Sequence, residues 1–245
     1  MNTFSNLKSV ACLGILIGSF SMPSQANLLV NGGFESGFNN WTRADQLGSE
    51  GSFFQQSGTS SPENGFSVAA PVEGSFAAMT DAQAGGSHVL YQDFVVPTGV
   101  GITSLAFSLY LNNAADNYYN PGHLDWATTG TPGSTNLNQQ ARVDILSTTV
   151  DPFSTTVLQN LFQTNTDDPL ESGYTAFLID ITTLLQAHQG ETLRLRFAET
   201  DNVGPFNFGV DNVSISQVPL PPAIWLALSG FSGLFWLGRR REASV

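Results

Sequence analysis

The chain has 245 residues, of which 41% are hydrophobic and only 11% charged. Between residues 27 and 217 it keeps four basic residues (Arg43, Arg142, Arg194 and Arg196) against nineteen acidic ones, a net charge of −15. Such a polyanion repels nucleic acid and anionic lipid, which excludes both as partners, and it attracts cations. The single cysteine, Cys12, lies in the N-terminal apolar segment. The rest of the chain therefore has no disulfide framework, no thiolate nucleophile and no cysteine-based zinc site.

Met1–Ala26 reads as a signal peptide. Lys8 supplies its positive region, Val10–Phe20 its apolar run, and Ser24-Gln25-Ala26 the small residues that a signal peptidase reads, so cleavage is expected between Ala26 and Asn27. Residues 27–217 then carry short strand-like runs separated by Gly, Pro, Asn and Asp, the pattern of an all-β sandwich. The expected strands are Ser75–Thr80, Val89–Val95, Thr103–Leu111, Ala141–Leu146, Tyr174–Ile181, Thr192–Glu199 and Phe206–Ser216. The alternation is clearest where Leu193, Leu195 and Phe197 interleave with Thr192, Arg194 and Arg196. Ile181, Leu184, Leu185 and His188 fall at helical spacing, which predicts one short helix over Asp180–His188, stopped at Gly190. Asn112–Gln140 is the longest stretch without a strand pattern, and loops of that length usually carry function or lack order.

Beyond residue 217 the chain changes character. Val218, Pro219, Pro221 and Pro222 introduce the uncharged run Ala223–Gly238, and Arg239, Arg240 and Arg241 follow. A helix of that length is slightly short for a bilayer core, and the arginines would keep its far end cytoplasmic. The order of proline motif, short apolar helix and arginine cluster resembles the PEP-CTERM sorting signal, with Leu220 standing where the named motif has glutamate. The resemblance implies a single-pass inner-membrane precursor with its domain outside. It also implies removal of the tail by an exosortase-type membrane protease and delivery to the cell surface or the extracellular polysaccharide.

A second resemblance covers residues 27–217. Asn27-Leu-Leu-Val-Asn-Gly-Gly-Phe-Glu35, followed by Gly37 and Trp41, and the closing run Phe208–Ile215 are similar to the first and last strands of jelly-roll carbohydrate-binding modules of the galactose-binding type. The resemblance implies a single jelly-roll sandwich. In those modules a glutamate after the first strand and an aspartate of the last share one structural Ca2+; the matching positions are Glu35 and Asp211. Calcium takes six to eight oxygens, so loop carbonyls would have to contribute. The pairs Asp116-Asn117 and Asp167-Asp168 are weaker metal candidates, being typical turn residues.

Sugars stack on exposed rings, and Tyr118, Tyr119 and Trp126 of the long loop are the expected platform for a glycan, whereas Trp41 is expected in the core. His88, His123 and His188 show no metal-ligand spacing, and no nucleophile elbow is present. The sequence thus points to an exported, non-enzymatic protein with a structural or adhesive role in an exopolysaccharide or biofilm layer. A carbohydrate-binding module is the alternative and a polysaccharide hydrolase the third reading.

Overall fold

The computed structural model describes residues 26–127 and 137–218. The signal segment up to Gln25 and the tail from Pro219, with Arg239, Arg240 and Arg241, lie outside the described residues. Among the described residues no helix is long and apolar enough to cross a membrane.

Two antiparallel sheets form a β-sandwich. One has the order β3 (Ser52–Gln56), β4 (Ala77–Asp81), β11 (Phe206–Val218), β6 (Ile102–Asn113), β9 (Glu171–Asp180), with the two-residue β1 (Ala26–Asn27) also paired to β11. The other has the order β2 (Thr42–Asp45), β5 (Gly86–Val95), β10 (Thr192–Asp201), β7 (Gln139–Ser147), β8 (Gln159–Gln163). Only β3–β4 and β7–β8 are hairpins within one sheet; every other connection crosses between the sheets. The short helix α1 (Thr182–Ala187) joins β9 to β10 and buries Leu185.

The strands expected from alternation all form. Polar or short segments escape that signal: β2 is Thr-Arg-Ala-Asp, and β3 and β8 carry glutamine at their ends. The expected first strand differs. Asn27–Glu35 pairs only at Asn27, opposite Ser216, and then turns, because Asn31 and Phe34 adopt positive φ angles of 57° and 56°. This turn lies directly on the β11 bulge. Val213 donates to the Gly32 carbonyl at 3.0 Å, and a β-carbon on Gly32 would overlap the Val213 carbonyl.

Strand alternation sends Leu193, Leu195 and Phe197 of β10, Leu90 and Phe94 of β5, and Val143 and Ile145 of β7 to the inner face. They meet Leu105, Phe107 and Leu109 of β6 and Phe208, Val210 and Ile215 of β11. Trp41 is buried as expected, between Phe34 at 5.3 Å and Phe197 at 6.0 Å, with its indole N–H donating to the Asn31 carbonyl. Phe34 is fully buried despite its left-handed backbone. A non-glycine residue there costs roughly 1–3 kcal/mol, which the burial of its ring offsets.

That balance is testable by urea denaturation. Phe34→Ala is expected to destabilise by about 3–5 kcal/mol. Phe34→Gly removes more of the side chain yet is expected to cost roughly 1 kcal/mol less, because it releases the backbone strain. A glycine variant less stable than the alanine one contradicts the account.

Candidate functional site

Glu35 and Asp211 converge on one segment, the turn at residues 72–76 that leads into β4. Asp211 is buried on β11, and its Oδ2 accepts the backbone N–H of Val72 (2.7 Å) and Glu73 (3.0 Å). Its Oδ1 accepts the N–H of Asn212 at 2.7 Å. Exposed Glu35 places Oε1 on the N–H of Ser75 (2.8 Å) and Phe76 (2.9 Å). Gly74 lies between these pairs at φ 63°, and a β-carbon there would collide with the Glu35 carboxylate. Both side chains therefore act as anions in a ring of amide donors. Burial pushes the Asp211 pKa up, and the three amide bonds oppose that shift. These oxygens already accept five backbone N–H groups, beside which a shared calcium would have to bind. Neither residue meets Arg194 or Arg196. Those arginines lie on the other sheet, where Arg194 forks onto Asp93 at 2.6 and 2.9 Å and Arg196 is buried against Asp144 and the carbonyls of Pro152 and Ser154.

At the opposite end of β10 the inner face changes from apolar to polar. The ladder that places Leu90 beside Phe197 next places His88 beside Glu199, and then Gly86 beside Asp201. His88 and Glu199 are at most 1% exposed and Asp201 is 4% exposed. Their ligand atoms all lie within 4.8 Å of one another. His88 Nδ1 is 2.8 Å from Asp45 Oδ1, and Asp201 Oδ1 accepts the Gly86 N–H at 2.8 Å. Burial, reinforced by Asp201, raises the Glu199 pKa well above the carboxylate range. Burial likewise pushes Asp201 up to about 6, opposed by the Gly86 amide and by His88. These residues escape the sequence pattern because their proximity comes from strand register across more than a hundred residues. The expected strand Thr192–Glu199 stops short of Asp201, which the structure includes in β10.

Asp201 also lines a cavity of about 220 Å³ formed by Ala82–Gly85 and Asp201–Pro205. Glu50 fixes its near wall by accepting the N–H groups of Gln83 and Ala84. The half-buried Trp126 stands beside it. A β-carbon on Gly85 would lie 3.5 Å from the indole and one on Gly48 at 3.4 Å, so the two glycines make room for the ring. Residues 123–126 are held by amides. Gln46 donates to Asp125 and accepts from the backbone N–H of Trp126, Asn138 donates to the carbonyls of His123 and Asp125, and Asn202 donates to that of Trp126.

Tyr118 corrects the expected glycan platform. It is fully buried against Phe206 at 5.7 Å, with its hydroxyl donating to the carbonyls of Pro169 and Leu170, so its ring holds the loop down and meets no ligand. Tyr119 is half-buried; it pairs by backbone with Gln139 and donates its hydroxyl to Asp116 at 2.9 Å. Asn117 accepts the backbone N–H of Tyr118 and, across to the neighbouring loop, that of Asp167, and Asp168 accepts that of Asn165. Trp126 packs beside Gly85, which lines the 220 Å³ cavity.

No protein-family model matches the chain, and no curated protein matches it. Among solved structures, the chain is similar to TmCBM61 in complex with beta-1,4-galactotriose (TM-score 0.46, 13% identity, covering 78% of this chain and 99% of that one). It is similar to the K3 cleaved adhesin domain of Lys-gingipain from Porphyromonas gingivalis (TM-score 0.46, 15% identity, 78% and 98%). It is also similar to an apo cyclase from Fischerella sp. (TM-score 0.46, 16% identity, 81% and 98%).

Two outcomes follow from this geometry. Asp211→Asn keeps the shape but weakens the amide clamp, and a loss of about 1–3 kcal/mol is expected. A calcium shared by Glu35 and Asp211 predicts that EDTA lowers the native melting temperature and that Asp211→Asn removes this response; no EDTA effect, or one unchanged in the variant, contradicts it. The second concerns pH. Glu199 and Asp201 have folded pKa values above their unfolded ones, so the native state holds more protons and the stability they allow falls as pH rises past about 4 and through about 6. In EDTA, and with Asp45, Glu50 and His88 facing the pair, Glu199→Gln should narrow the gap in urea stability between pH 5 and pH 7. An unchanged gap contradicts the assignment.

Proposed function

We propose that the chain is an exported adhesive protein of the extracellular polysaccharide layer, one that touches carbohydrate at the sandwich end marked by Trp126. The observation that carries this reading is the half-buried indole beside the 220 Å³ cavity, whose lining includes Gln83, Asp201 and Asn202. Binding sites for small polar ligands combine an apolar surface with a few fixed polar groups. Here the ring supplies a face for a pyranose and Gln83 a partner for its hydroxyls, and the amide bonds that fix residues 123–126 limit the ordering cost of binding.

The signal-like N-terminus and the sorting-like tail supply the export half of the proposal. The tail would hold the precursor in the inner membrane until an exosortase-type protease releases it to the surface or matrix. The net charge of −15 between residues 27 and 217 suits neutral glycans. The proposed role is binding and cohesion without turnover.

Affinity electrophoresis of the purified protein through gels containing neutral polysaccharides tests the reading. Retardation by at least one of them is expected, with Trp126→Ala weakening it about tenfold or more, equivalent to roughly 1.4 kcal/mol. Gln83→Ala should weaken it less, and both variants should melt near the native temperature. Retardation unaffected by either substitution, or none on any polysaccharide, would overturn the proposal; depolymerisation of the gel substrate would replace it with the hydrolase reading.

A further inference from the structure

We propose that His88, Glu199 and Asp201 bind one divalent first-row transition ion, with zinc as the representative, inside the polar end of the sandwich. The proposal does not depend on carbohydrate binding.

Acids clustered by strand register would not alone make a site. Three further features point to a ligand. First, His88 Nε2 and Glu199 Oε1 are both buried without a hydrogen-bond partner. Buried polar atoms are normally satisfied, and here an unpartnered nitrogen and an unpartnered carboxylate oxygen belong to the same cluster. Second, the orientation of the imidazole is set from behind. Asp45 Oδ1 lies 2.8 Å from Nδ1, which makes Nδ1 the donor and leaves Nε2 with its lone pair. A carboxylate behind a histidine is the usual arrangement that orients and strengthens a metal-ligating imidazole. Third, the backbone leaves space for this ring position: a β-carbon on Gly86 would overlap His88 Nε2.

The ligand set selects the class of ion. Calcium and magnesium prefer all-oxygen shells, whereas one imidazole with two carboxylates suits zinc, manganese or iron. Zinc bonds of about 2.0–2.2 Å place neighbouring ligand atoms about 3–4 Å apart, a small inward movement from their present separation. Asp201 lines the 220 Å³ cavity, which gives the ion a route in and leaves room for a water as the fourth ligand. The ion also supplies the positive charge that two buried carboxyl groups lack. Every arginine of the domain is engaged elsewhere: Arg43 donates to the Phe53 carbonyl, Arg142 and Arg196 bind Asp144, and Arg194 binds Asp93.

The test strips the purified protein with a chelator and returns zinc. One ion per chain by mass spectrometry of the metal content is expected, with a rise in melting temperature of roughly 5–10 °C at a hundredfold excess over Kd. Cobalt in place of zinc should give the visible absorption of a four-coordinate site. Glu199→Gln is nearly isosteric and should abolish the melting shift and the cobalt spectrum while the protein still folds; His88→Gln should do the same. Asp45→Asn should weaken zinc binding about 10–100-fold without removing it. A zinc response that survives Glu199→Gln and His88→Gln belongs to surface groups such as His123 or His188, and it overturns the proposal. So does a native protein that shows no zinc, manganese or iron uptake.

Discussion

β10 lies between β5 and β7 in unbroken antiparallel register, from Thr192 to Asp201 with β5 and from Leu193 to Asp201 with β7. Because side chains alternate strictly along a strand, that register leaves no choice about which residues enter the space between the sheets. For most of its length the rule serves the core, placing Leu193, Leu195 and Phe197 against the opposite sheet. At its end the same rule brings Glu199 and Asp201 inside, beside His88 of the neighbouring strand. A one-residue slip would return the acids to water only by exporting the leucines and Phe197 as well. The hydrophobic effect on half of the strand thus holds two carboxyl groups where they are costly. Buried acids kept in place by a core are well suited to meet a cation.

The outer face of the same strand solves the converse problem. Arg194 and Arg196 point away from the core and are nonetheless almost fully covered. Arg194 lies 3.9 Å above the Tyr91 ring while forking onto Asp93, and Arg196 is closed in by the turn after β7 through the carbonyls of Pro152 and Ser154. The four arginines between residues 27 and 217 are thereby engaged within the fold.

Alternation made the central strands legible, and the sequence also placed Trp41 in the core. It made Asn27–Glu35 look like a strand because Leu28, Leu29 and Val30 are apolar, whereas the positive φ angles at Asn31 and Phe34 are set by docking on β11. The convergence of Glu35 and Asp211 was readable in the sequence, but not the amides of residues 72–76 that both meet, because those depend on how that turn bends. Tyr118 and Trp126 looked alike in a loop of unpatterned composition and differ only in whether Phe206 or Gly85 lies beneath the ring. His88 was hidden for a different reason. Local spacing detects histidines arranged along one element, and its companions belong to a strand more than a hundred residues away.

β11 has a consequence for how this chain comes into being. It is the last described strand, yet it occupies the interior of its sheet, hydrogen-bonded to β1, β4 and β6, and it carries the aspartate that anchors residues 72–76. A polypeptide synthesised from its N-terminus cannot assemble this sheet until residues 206–218 arrive. Until then β4 and β6 have no strand between them and the opening turn has nothing to dock on. The topology therefore makes closure of this sheet wait for β11, so β4 and β6 are joined only once residues 206–218 are in place.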